Sequence, residues 1–321
     1  MTSSWPYPAP QPVTSATRPP WAVSPPSGAR YDRLAHTALH RWWRPIVGTA
    51  AIIAVFLAVS FGFGVVALVF SAVTGVPTAS STARGNAFFR DPLLDLGFQL
   101  AILAVAIPIV YGVAWAVQRR PPGTLSSVAG RLRWGWLARC LPVALAAVLL
   151  GEGAQDIAVV LTGGETGYRW GGWGAFLPAM VVVVLLVPFQ AAAEEYAFRG
   201  WILQAFGAYI RNPIPGMVIG SVAFAALHGY TDWGIAYVFG FGILMGWLAI
   251  RTGGLEAPIA LHVTNNVVAF GFTAASGDLG SALEQGSLPW QSVVGTVVQF
   301  AVYATAIPII ARKAAIQTLS H

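Results

Sequence analysis

Glu194-Glu195-Tyr196-Ala197-Phe198-Arg199 sets two adjacent carboxylates and a guanidinium into a stretch where the nearest preceding charge is Arg169 and residues 181–187 are an unbroken aliphatic run. An ionisable group at bilayer depth costs at least ~2.5–3.5 kcal/mol on insertion scales, so such a group marks a candidate functional site whose partner must be found. Successive helical residues lie 100° apart, so Glu195 and Arg199 at i,i+4 share a face and can neutralise one another. Glu194 points elsewhere and is free to project into a cavity. Taken alone, the hexad is equally compatible with a buried ion network that only pins two helices.

Polar residues farther along the chain shift that balance. Of five histidines, His36, His40 and His321 fall in the terminal segments, whereas His228 and His262 sit in apolar runs downstream of the hexad. Phe224 and His228 share a helical face at i,i+4, as do His262 and Asn266, with Asn265 close enough at i+3 to compete for the same role. One carboxylate, two imidazoles and a carboxamide are the groups that water-activated hydrolysis needs: a base, and donors for a developing oxyanion. Glu194, His228 and His262 also make a three-ligand zinc set with an open fourth position. No His-Glu-x-x-His pattern accompanies them, and the metal-free glutamate reading, with no cofactor, is preferred.

Positioning such groups falls to a membrane fold. The chain is 56% hydrophobic and 9% charged, which excludes a soluble globular class. At ~20 apolar residues per crossing, it divides into eight segments, 46–76, 96–117, 137–161, 174–209, 214–230, 234–250, 255–275 and 291–311. The fold class is therefore all-α, a polytopic membrane protein of about eight transmembrane helices. The fourth segment is long, contains Pro188 as a potential kink, and should continue as helix through the hexad. In that case Glu194, 17 residues before Arg211, and His228, 17 after it, both lie ~25 Å from the turn and at similar depth.

Residues 1–45 are expected to form a disordered, Pro-rich cytoplasmic tail (Pro6, Pro8, Pro10, Pro12, Pro19, Pro20, Pro25, Pro26), followed by an integral membrane domain over 46–313. The first apolar run starts too late and runs too long for a signal peptide. Arg18, Arg30, Arg33, Arg41, Arg44, Arg119, Arg120, Arg131, Arg133, Arg139, Arg211, Arg251, Arg312 and Lys313 fall on one side of an eight-span path, against Arg84, Arg90 and Arg169 on the other. The positive-inside rule then puts both termini in the cytoplasm of a multi-pass cell-membrane protein. The net charge of +6 is thus a topology signal, and no nucleic-acid partner is expected. Trp42, Trp43, Trp170, Trp173, Trp233 and Trp290 suit an interfacial belt. Gly242 and Gly246 mark one close helix contact, Cys140 has no disulfide partner, Glu152 and Asp156 read as solvated residues at a helix end, and Glu256 reads as interfacial.

Glu-Glu-x-x-x-Arg (194–199), Phe-x-x-x-His (224–228) and His-x-x-x-Asn (262–266), in that order on segments four, five and seven, resemble the CPBP family of CAAX-prenyl proteases and bacteriocin-processing proteins, also called the ABI family. The resemblance covers roughly 174–275. It implies an intramembrane endopeptidase with an eight-helix core that acts on a membrane peptide or protein, in which Glu194 activates water. His228 would position the base or the water, His262 with Asn266 would stabilise the oxyanion, and Glu195, Arg199 and Phe224 would support the site. Bacteria generally lack prenylated CAAX proteins, so that substrate does not transfer with the fold. The alternatives are a non-catalytic membrane scaffold, for instance in bacteriocin self-immunity, and a Glu/His proton-relay transporter, which the lack of an internal repeat disfavours.

Overall fold

The computed structural model describes residues 20–79, 87–281 and 285–321. Its helices are α1 (Trp43–Thr74), α2 (Pro92–Ala104), α3 (Ala106–Ala116), α4 (Trp134–Leu161), α5 (Trp173–Glu195), α6 (Leu203–Tyr209), α7 (Ile214–Ala226), α8 (Asp232–Thr252), α9 (Glu256–Ser276) and α10 (Gln291–Lys313). Tyr196–Ile202 joins α5 to α6 as a π-helical segment, so Trp173–Tyr209 is one 37-residue rod that passes through the hexad and over Pro188 without ending. α2 and α3 likewise form one 25-residue unit, interrupted at Val105.

The all-α membrane architecture expected from the apolar runs is present. Six of these units are long and apolar enough to cross a membrane. The expected count of eight falls short at two elements for different reasons. α7 has only 13 residues because the chain turns at Leu227 instead of running to residue 230. α9 has 21 residues but carries Glu256, His262, Thr264, Asn265 and Asn266, which dilute its hydropathy. α1 lies at the periphery and exposes Phe61, Val66 and Val73, the surface that lipid would cover. The six tryptophans expected near segment ends are all exposed there.

Close helix pairs bring the site elements together. A Cβ at Gly242 would collide with Ser221 on α7, and one at Gly246 would press on Met217, so the glycine pair lets α8 approach α7. α5 and α9 run antiparallel, and they meet again at their far ends, where Gly171 N donates to Ala275 O at 2.7 Å.

Two expectations are corrected here. Residues 20–42 are packed against the bundle instead of forming a disordered tail to residue 45. Tyr31 and Leu34 are fully buried in a cluster with Tyr196, Trp201 and Leu255. Tyr31 Oη donates to Leu125 O at 2.6 Å, and Gly28 and Ala29 exchange main-chain bonds with Ser320 at 2.9 Å. The Asp32 carbonyl presses against Gly207 of α6, where a Cβ would collide with it. Composition averaged over the tail hides this short anchoring motif. The prolines up to Pro19 lie outside the described residues.

Glu256 is the second correction, because it is fully buried and not interfacial. It forms a bidentate pair with Arg133, Nε to Oε1 at 2.8 Å and Nη2 to Oε2 at 2.7 Å, and also accepts from the Arg133 main-chain N–H at 2.8 Å. Its neighbourhood in sequence looks like a loop, but its partner is 123 residues away. Nearby, Arg120 is fully buried among Gln118, Thr124 and Gln204 without a carboxylate, and burial pushes its guanidinium down to about 10.

Candidate active site

The rod α5–π–α6 carries the hexad, and its backbone widens into π-type turns directly after Glu195. Such insertions shift the register of the side chains that follow and often occur at functional sites. Even so, Arg199 Nη1 reaches Glu195 Oε1 at 3.0 Å, and both side chains are buried. Glu194, at 15% side-chain exposure, turns into a cavity of about 170 Å³. The division of the hexad into a pair and a free carboxylate is thus present in the geometry.

The same Glu195 Oε1 also accepts from His262 Nδ1 at 2.7 Å, a contact that sequence spacing does not reveal. A carboxylate oxygen only accepts, so Nδ1 carries the proton and Nε2 faces Glu194 Oε2 at 3.5 Å. The neutral ring then presents a lone pair there, whereas the imidazolium presents an N–H. Glu195 therefore positions His262 as well as pairing with Arg199. Among the described residues, Glu194 Oε2, Glu195 Oε2 and Arg199 Nη2 are buried without a hydrogen-bond partner. One guanidinium thus offsets two carboxylates.

Phe224 explains why an aromatic ring belongs four residues before His228. Arg199 lies over its face, 4.5 Å from the centroid. Its ring is 4.5 Å from that of His228 and edge-on to that of His262 at 5.9 Å. His228 sits just past the end of α7, where its Nδ1 donates to the Phe224 carbonyl at 2.7 Å, leaving Nε2 as the acceptor in the neutral ring. Glu194, His228, His262 and Asn266 all line the one cavity.

Several residues there escape a reading based on charge. Gln190, one turn before Glu194, donates from Nε2 to Glu194 Oε1 at 2.5 Å and accepts from Asn266 Nδ2 at 3.1 Å. Asn265 contacts Asn266 Oδ1 through its own amide at 3.4 Å, while its oxygen accepts from Tyr237 Oη at 3.0 Å and Gln299 Nε2 at 3.1 Å. Each amide accepts at oxygen and donates from nitrogen, so the chain of donors runs from α8 and α10 through α9 to Glu194. The signal that would have found Gln190 is its i−4 spacing from Glu194 on an otherwise apolar helix. The pair Asn265 and Asn266 divides its work, one residue facing Tyr237 and Gln299, the other facing Gln190.

His262 and His228 each have Nδ1 on a protein acceptor, Glu195 and the Phe224 carbonyl, which leaves both Nε2 atoms free, and among the described residues no three His, Cys, Asp or Glu side chains are grouped closely enough to hold a metal ion. Glu152 and Asp156 stay outside the site. They are half-buried on α4, and Asp156 accepts from Tyr168 Oη at 2.9 Å.

Fold and site together define a multi-pass membrane protein with a glutamate, two histidines and a carboxamide at the floor of an intramembrane cavity. Residues 173–268, a stretch that contains all three motifs, match the family model of the type II CAAX prenyl endopeptidase Rce1-like proteins. Over 190 residues, 57% of this chain, it is 30% identical to the uncharacterized protein YyaK of Bacillus subtilis (strain 168), and that match spans 62% of the relative's length. No solved structure matches.

Proposed function

We propose that this protein is an intramembrane endopeptidase that hydrolyses a peptide bond of a membrane-associated or lipid-modified peptide or protein with water activated by Glu194. The observation that carries the reading is the setting of Glu194: Oε1 is held by Gln190, while Oε2 faces His262 Nε2 on the cavity wall. A water in the cavity beside these groups gives a proton to Glu194 as its oxygen bonds to the scissile carbonyl carbon. His228 Nε2 accepts from the same water and orients it. The carbonyl oxygen becomes an oxyanion that accepts from the His262 imidazolium and from the second amide N–H of Asn266, donors typically worth about 3–4 kcal/mol each. As the oxyanion collapses, the C–N bond breaks and the leaving nitrogen takes the proton from Glu194, which releases an amine and a carboxylate.

Purified protein in liposomes should cut a single-span peptide into two fragments with a new free amine, with turnover unchanged by chelators. Candidate substrates are the membrane peptides that accumulate in cells when Glu194 is inactivated. No cleavage of any accumulated peptide would overturn the hydrolase reading, and chelator-sensitive, zinc-restored turnover would overturn the metal-free one.

Gln190→Leu should lower kcat by about 10- to 100-fold at near-constant KM, because it strips Glu194 Oε1 and Asn266 Nδ2 of a buried partner at ~1–3 kcal/mol. A purely structural glutamine would instead change thermal stability and leave kcat of the folded protein unaltered.

A further inference from the structure

One end of the bundle gathers both terminal segments. Val23 N donates to Arg119 O, Gly28 N to Ser320 O, Arg30 Nη2 to Arg211 O, Leu255 N to Ser126 O and Arg133 Nη1 to Gln317 O. The segments before α1, between α3 and α4, between α6 and α7, between α8 and α9 and after α10 therefore form one layer. At the opposite end, the turn after α7 pairs with the connection before α10, through Thr231 N to Gly286 O at 3.0 Å and Gly229 N to Gln285 Oε1.

The cavity extends from its floor toward that second end alone. On α9 its wall uses His262, Asn265, Asn266 and Phe270, each step leading away from the terminal layer. The part of α9 nearer that layer, Glu256 to Leu261, is buried throughout. On α8 the wall uses Tyr237, Val238 and Phe241, in the half that begins at Asp232, while Leu244 to Ala249 is almost wholly packed into the core. Gln285 and Tyr230 line its rim. At 1.5 Å per residue, His262 lies ~9 Å from the start of α9 and ~21 Å from its end, so the cavity is closed over the shorter distance and extends along the longer one.

Charge gives the two ends their sides. Outside the site, the basic residues crowd into the terminal layer and the helix turns bordering it, and among the described residues only Arg90 and Arg169 lie at the other end. The positive-inside rule makes the terminal layer cytoplasmic. We propose that the cavity takes its substrate from the non-cytoplasmic face: a peptide segment at the outer boundary of a membrane-spanning or membrane-attached protein. A cytosolic C-terminal peptide would have to pass the sealed layer of Tyr31, Leu34, Tyr196, Trp201 and Leu255. The sidedness stands on the geometry and charge alone, whereas the substrate class rests on the hydrolase reading.

The test uses the full-length chain with Cys140→Ala, which removes its one cysteine, and adds Gln285→Cys at the rim, Asp278→Cys on the exposed loop of the same end, or Lys313→Cys in the terminal layer. A membrane-impermeant maleimide should label Gln285→Cys and Asp278→Cys in intact cells and Lys313→Cys only after permeabilisation. Labelling of Lys313→Cys in intact cells, with Asp278→Cys protected until permeabilisation, would overturn the proposal even if Gln285→Cys does not fold. In a second arm, a single-span reporter bearing a target segment at its outer boundary should be cleaved at least ten-fold faster than one bearing it at the inner boundary, with Glu194→Gln as the blank. Faster inner cleavage overturns the substrate class. Outward labelling with cleavage that persists in the blank would sink the Glu194 mechanism and leave the sidedness standing.

Discussion

Glu194→Gln is expected to lower cleavage by about 10²- to 10⁴-fold, the range that positioned general-base catalysis contributes, while the protein inserts, folds and binds substrate as before. The carboxamide is nearly isosteric with the carboxylate and can still accept the Gln190 amide at Oε1, so the contact that fixes the side chain survives. What disappears is the ability to take a proton from water at Oε2, the oxygen that faces His262. Removing this charge also leaves Arg199 with one carboxylate to offset instead of two, so thermal stability should hold or rise slightly. The measurement is turnover of a membrane peptide by purified wild type and variant at matched thermal midpoint. Equal turnover would remove Glu194 from the chemistry, and a variant that loses activity only because it unfolds would show as a depressed midpoint.

The parts of this arrangement that were legible in the sequence are those set by short-range periodicity. Long apolar runs locate the spanning helices because the bilayer demands that length, and i,i+4 spacing is enough to separate Glu195 and Arg199 from Glu194 and to place Phe224 beside His228. Contacts across the bundle were not legible. The bond from His262 to Glu195 spans 67 residues and the one from Asn266 to Gln190 spans 76, and nothing local to either residue chooses the partner. Gln190 was overlooked for a further reason: an amide in an apolar run stands out less than a charge, yet in hydrocarbon its unpaired donors still cost several kcal/mol. Tyr31 and Leu34 illustrate the opposite error, in which a proline-rich average conceals two residues that the bundle buries completely.

Arg199→Met should be the most destabilising single change at the site. Breaking one side of a buried ion pair costs about 3–5 kcal/mol, because the remaining charge stays buried and uncompensated, and a domain's whole stability is only about 5–15 kcal/mol. Here the variant leaves both Glu194 and Glu195 without their cation and removes the group that stacks on Phe224. Adding Glu195→Gln to Arg199→Met should recover part of the lost stability, because Glu194 is then the one carboxylate left without the guanidinium and the glutamine oxygen still accepts from His262 Nδ1. Activity should not recover with it. A neutral acceptor holds the imidazole in place but leaves no carboxylate against Nδ1 of the ring proposed as the oxyanion donor. Thermal unfolding in detergent and turnover of the same samples separate the two effects. A double variant no more stable than Arg199→Met would show that the guanidinium acts through packing on Phe224, and one that regains wild-type turnover would show that Glu195 contributes only to the fold.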